Sequence, residues 1–97
     1  MSLELSVFQA NVGQSFKVCG FENQEELATL ALSEATSLPH ASEKCKEPFS
    51  LIFEGPDSTP LDQGTYVFEH SSIGVEPIFM VPLSQSNGMR RYQAIFN

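Results

Sequence analysis

The chain has little of several residue types that often identify a class of protein. Its 97 residues include no Trp, two Cys, two His and five basic residues against twelve acidic ones, for a formal net charge of −7. Acidic surfaces repel nucleic-acid phosphates and anionic lipid headgroups, so we expect no nucleic-acid partner. A membrane-spanning helix needs about 20 apolar residues. The longest apolar run, Pro77–Leu83, is far shorter, so we expect no membrane association.

The two cysteines, Cys19 and Cys45, lack the spacing of a metal site, and no Gly-rich phosphate loop is present. We therefore expect no metal and no cofactor. The segment Leu3–Val12 is interrupted by polar residues and lacks the basic leader of a signal peptide. We expect a cytoplasmic protein, or part of a particle assembled in the cytoplasm. Both thiols should then be free, although two cysteines also allow one disulfide.

Alternating apolar and polar residues dominate the chain and predict short strands. The segment Ser2–Val12 instead has helical spacing, with Ser2 as a cap and Gly13 as a stop. Glu25–Thr36 fits both periods, and we favour a strand there because strand-like segments flank it. The other strands are predicted at Ser15–Cys19, Phe49–Glu54, Thr65–His70, Ile78–Val81 and Arg91–Phe96.

These segments predict one mostly β domain over residues 1–97. The expected architecture is a compact antiparallel barrel or two-layer sandwich of about six strands, with a short N-terminal helix. Ile78–Val81 is apolar on both faces, which is typical of a central, fully covered strand. Phe53 and Phe79 are therefore both expected in the core. Gly55 and Gly64 are expected in turn conformations, and Pro56 is expected to end its strand at Glu54.

Polar candidates for chemistry are few and weak. His70 and Cys45 are the best of them, since Lys44 and Lys46 flank Cys45. No nucleophile–base pair is recognisable, because Ser71 and His70 are neighbours that a strand points to opposite faces. His70 is better explained as a partner for the Tyr66 hydroxyl or as a cap at a strand end. We therefore predict no catalytic residues and no enzyme.

Binding is the stronger expectation. The connection 55–64 is long for so small a domain, and its residues Pro56, Asp57, Pro60 and Leu61 form a candidate interaction loop. Several strands also carry apolar residues on both faces, more than a two-layer fold of this size can cover. We expect a protein partner, either a second copy in a homo-oligomer or a component of a larger assembly.

Four sequence blocks carry a resemblance to a known family. They are FSLIFEGP, QGTYVFEH, IFMVPL and the C-terminal AIFN. The chain resembles a family of small uncharacterised bacterial domains loosely associated with phage-tail-collar-like proteins. The resemblance implies a structural or accessory part of a tail-like assembly, and it implies no catalytic residues.

The function expected from the sequence is thus a non-enzymatic structural or adaptor module. One alternative is a small acidic protein that binds and inhibits or regulates a host protein. Another is a small-ligand carrier that uses a barrel interior.

Overall fold

A computed structural model describes residues 4–38, 48–58 and 60–96 of the chain. Within these residues lie one helix and six strands. Their bounds, in chain order, are α1 (Leu5–Gln9), β1 (Ser15–Gly20), β2 (Glu26–Ser37), β3 (Phe49–Pro56), β4 (Gly64–His70), β5 (Gly74–Ser86) and β6 (Met89–Phe96).

The strands form a closed barrel in the cyclic order β1–β2–β3–β6–β5–β4, and every pairing is antiparallel. The β1–β4 pairing, which sets Val18 opposite Phe68, closes the ring. The predicted mostly β class, with about six strands and a short N-terminal helix, is confirmed. Of the two predicted architectures, the barrel is the one observed. No helix in the described part of the chain is long and apolar enough to cross a membrane.

Alternate residues of each strand point into the barrel and build its core. Phe53, Leu51 and Phe49 on β3 are at most 3% exposed, as their spacing predicted. The Phe53 ring lies 5.4 Å from Phe16 and 4.8 Å from Phe68, measured between ring centroids. The barrel interior is thus filled by phenylalanine from several strands. The other fully buried side chains of the wall include Val18, Leu30, Leu32, Met80 and Tyr92.

Helix α1 covers one end of the barrel. Phe8 is completely buried, and its ring lies 5.8 Å from Phe49 and 5.9 Å from Phe96. The helix is shorter than predicted and has no side-chain cap at Glu4; the predicted cap, Ser2, lies outside the described residues. Gly13 follows with φ +95°, a conformation that glycine adopts without strain, and leads the chain into β1.

The strand preferred for Glu25–Thr36 is confirmed by β2, which pairs with β1 and β3. Tertiary pairing overrides the helix propensity of its Glu, Leu and Ala residues. The hairpin between β5 and β6 turns at an Asn-Gly pair. Asn87 and Gly88 both have positive φ, 55° and 80°, as a tight two-residue connection between β5 and β6 requires.

The predicted end of β3 was wrong. The strand continues through Gly55 to Pro56, which pairs with Met89. Neither Gly55 nor Gly64 has a positive φ. Gly55 is needed for packing instead, since a Cβ there would collide with the side chain of the buried Leu30.

The full burial predicted for Ile78–Val81 was also wrong. Ile78 and Met80 are buried at 3% and 0%, but Phe79 between them is 52% exposed. A closed barrel has one interior, so the outer face of a strand is covered only if another element packs on it. Phe79 therefore belongs to the surface and not to the core.

This difference predicts unequal effects of two matched substitutions. Phe53→Ala removes a fully buried ring and should lower the free energy of unfolding by about 3–5 kcal/mol. Phe79→Ala removes a ring from the surface and should cost less than about 1 kcal/mol. Urea unfolding followed by circular dichroism would measure both, and similar losses for the two variants would contradict the assigned positions.

Candidate protein-docking surface

The candidate interaction loop closes the second end of the barrel. Leu61 is 9% exposed, and its N–H donates to the Tyr92 hydroxyl oxygen over 3.0 Å. Asp57 accepts from Arg90 Nε at 3.1 Å, and its own N–H donates to the Gly88 carbonyl. Two of the four predicted loop residues, Asp57 and Leu61, therefore make hydrogen bonds within the barrel, while Pro56 and Pro60 are exposed.

The hydrogen bond between Leu61 and Tyr92 predicts the effect of removing the Tyr92 hydroxyl group. Tyr92→Phe should leave the buried Leu61 N–H without its acceptor while keeping the ring. We expect a loss of about 1–3 kcal/mol in the free energy of unfolding. The matched control is Tyr66→Phe, whose half-exposed hydroxyl donates to the Asp62 carbonyl at 2.7 Å and can be replaced by water. Equal losses in urea unfolding would contradict the closing role of Tyr92.

His70 stabilises a turn. Its Nδ1 accepts from the backbone N–H of Ser72 at 3.0 Å, and its Nε2 lies 2.6 Å from Gln14 Oε1. Because Nδ1 accepts, Nε2 carries the proton that is donated to Gln14. The ring also packs on Phe16 with centroids 4.7 Å apart. His70 is thus the cap at a strand end that the sequence allowed, and the Tyr66 hydroxyl has a different partner.

Cys19 is a buried free thiol, while Cys45 lies outside the described residues. The Cys19 Sγ donates to Glu69 Oε2 at 3.4 Å. Burial raises the pKa of this thiol, and the hydrogen bond and the negative charge of Glu69 raise it further. A protonated thiol is a poor nucleophile and a poor metal ligand. Among the described residues, no group of three or more His, Cys, Asp or Glu is arranged to hold a metal ion.

The raised Cys19 pKa predicts lower stability in alkali. As the pH rises, the thiol loses its proton in the unfolded chain before it does so in the folded chain. Its contribution to the free energy of unfolding is therefore fully present below the pKa of the unfolded chain, and it is lost as the pH rises through the pKa of the folded chain. Burial also raises the pKa of Tyr66, which acts in the same direction. The urea concentration at the unfolding midpoint should decrease as the pH is raised from 7.5 to 10, and the decrease should be less steep in Cys19→Ala than in wild type. Parallel curves would show that Cys19 contributes nothing.

The most distinctive surface lies on the outer face of β5. Its outward residues Val75, Pro77, Phe79 and Val81, named here the β5 stripe, alternate with the buried Ile78 and Met80. Val75 is 62% exposed and Phe79 is 52% exposed. None of the four residues of the stripe carries a charge.

Neighbouring strands widen this surface. Register places Val67 of β4 beside Pro77 and Thr65 beside Phe79. On β6, Ile95 is 53% exposed and lies on the same outer face two residues beyond Gln93, the partner of Val81. The stripe is therefore the centre of a largely apolar face on three strands, with Glu69 beside Val75 and Lys17 one strand further at its border.

The outer face of β2 and β3, together with the part of β6 around Arg91, differs in character. Arg91 on β6 reaches across β3, with Nη2 2.7 Å from Glu34 Oε2 and Nε 3.6 Å from Glu54 Oε2. Arg91 is thus paired with carboxylates of two neighbouring strands, and this face is charged. Exposed apolar residues are concentrated instead on β5 and β6, where five of the nine large ones in the described chain lie, namely Val75, Phe79, Leu83, Met89 and Ile95.

The fold and this surface describe a small closed antiparallel β-barrel with one apolar outer face. A family model matches residues 3–96, and the chain belongs to that family, described as a domain of unknown function (DUF6916). No curated protein and no solved structure matches the chain significantly.

Proposed function

We propose that this protein is a non-enzymatic structural or adaptor module that docks another protein chain on the β5 stripe. The observation that carries this proposal is the half-exposed Phe79, surrounded by uncharged neighbours on β4, β5 and β6. Single exposed apolar residues are ordinary, but a contiguous apolar face on a small domain marks an interaction site.

The barrel interior favours docking over ligand transport. Phe16, Phe53, Phe68 and Tyr92 are at most 2% exposed and fill the space in which a carried ligand would sit. Both ends are also covered, by Phe8 at one end and by Leu61 at the other. A ligand would have to displace core side chains at the cost of several kcal/mol each, so the carrier alternative has no support from the packing.

The biological setting of this docking is proposed from the sequence blocks alone. Their resemblance to domains associated with phage-tail-collar-like proteins suggests an accessory part of a tail-like particle. A small barrel that binds through one face suits such a role, since it can add to a larger assembly without changing its own fold.

Site-specific crosslinking would test the docking. A photoreactive p-benzoylphenylalanine replaces Phe79 in one variant and Val12 in the control. Val12 is 46% exposed and follows α1 beside β2, which lies opposite β5 in the ring. Irradiation in cells of the source organism should give a discrete higher-mass adduct from position 79 and none from position 12.

Adducts at equal yield from both positions, or none from position 79, would overturn the proposal. Mass spectrometry of the adduct identifies the attached chain. A partner from a particle would support the assembly setting, whereas a single soluble enzyme would favour the inhibitor alternative.

A further inference from the structure

We propose that the occupant of the β5 stripe is a second copy of this chain, in a weak symmetric dimer. This inference rests on the proposed docking function and names the partner. The reasons are the charge of the face, its area and the charge of the whole molecule.

The middle of the face, around Phe79, carries no charge with which a basic partner could pair. Glu69, the register partner of Val75, is the carboxylate at the border of the stripe, and its Oε2 already accepts from the Cys19 thiol. Thr65 and Gln93, which flank the stripe on β4 and β6, are uncharged. A face without charge pairs best with another uncharged face, since a charged partner would lose hydration without gaining an ion pair.

The described cations offer no alternative attachment. Lys17, Arg90 and Arg91 each lie within 4 Å of a carboxylate of their own chain, and none of them belongs to the β5 stripe. Most faces of two copies would therefore repel, given a net charge of −7 on each. The β5 stripe is a face on which two copies can meet without placing like charges opposite one another. A second copy also supplies that face at the same concentration as the first.

The area fits a weak dimer. A Phe side chain has about 150–250 Å² of surface, so the exposed half of Phe79 offers about 100 Å². Together with Val75, Pro77, Ile95 and the half-buried neighbours, the face presents on the order of a few hundred Å², the size of the largest apolar patch on a typical monomer. A stable interface of standard size buries about 800 Å² on each partner. The dimer should therefore form in the micromolar to millimolar range and exchange rapidly.

In the dimer that we propose, a two-fold axis passes through the middle of the stripe. It sets β5 of one copy across β5 of the other, so that Phe79 of each copy packs near Pro77 of the other copy. Such a contact is isologous and closes at two copies. The interface is apolar while the two molecules repel as wholes. Added salt should therefore tighten the dimer by screening that repulsion.

Sedimentation equilibrium would test the dimer. The purified chain is examined from about 10 µM to 1 mM, a range chosen for weak interfaces, in low and high NaCl. The average mass should rise from 10.7 kDa toward twice that value, and at lower protein concentration in high salt. Phe79→Ser and Ile95→Ser should each weaken the dimer about tenfold or more, while Val12→Ser should leave it unchanged. Circular dichroism checks that each variant is folded.

A mass of 10.7 kDa at every concentration would overturn the inference. A dimer that weakens in high salt, or one that Phe79→Ser and Ile95→Ser leave intact, would also overturn it. If the chain stays monomeric but position 79 crosslinks to a different protein, the docking function stands and the second copy is excluded. If neither association is found, both proposals fail.

Discussion

Closure of the ring by β1 and β4 is the constraint from which the other features follow. The pairing from Lys17–Glu69 to Gly20–Tyr66 gives every described strand two neighbours, so backbone hydrogen bonds are made within the barrel. Closure also fixes one interior of limited volume. That volume is filled by inward-facing phenylalanines, and the two ends are covered by short segments, α1 with Phe8 and the β3–β4 connection with Leu61.

The same closure decides which sequence-based predictions succeeded. Strand positions followed from alternation, because inward residues must be apolar: Phe49, Leu51 and Phe53 lie where their spacing predicted. Burial on the outer face was not predictable in this way. Phe79 stands in a run that is apolar on both sides, and local sequence cannot tell whether another element covers the second side. The excess of apolar strand faces leads to the expectation of a binding surface, which stays a prediction, and it does not indicate where on the barrel that surface lies.

The inward turn of the loop was not predictable from the sequence for a related reason. Pro, Asp and Gly residues between strands mark a connection, but they do not show which of its residues face the barrel. The single apolar residue near its end, Leu61, was the signal that the loop turns inward. Its N–H meets a hydroxyl from β6, 31 residues later in the chain. A contact of that separation depends on the register of the whole barrel and has no local signature. Gly55 is similar, since its role depends on Leu30 of the neighbouring strand.

A closed barrel limits how such a protein can bind others. Open sheets recruit partners by adding a strand at an edge, where backbone hydrogen bonds supply much of the affinity. A ring in which each strand already has two neighbours must bind through side chains on its outer face. Affinity then depends on a few exposed rings and on shape, and specificity depends on excluding charge from the contact. In the docking that we propose, Phe79 on β5, away from the Arg91–Glu34 pair, fits both conditions. Folding alone does not require an apolar residue at the position of Phe79 or of Val75, because neither side chain is buried in the barrel. An external contact is the role that we propose for them.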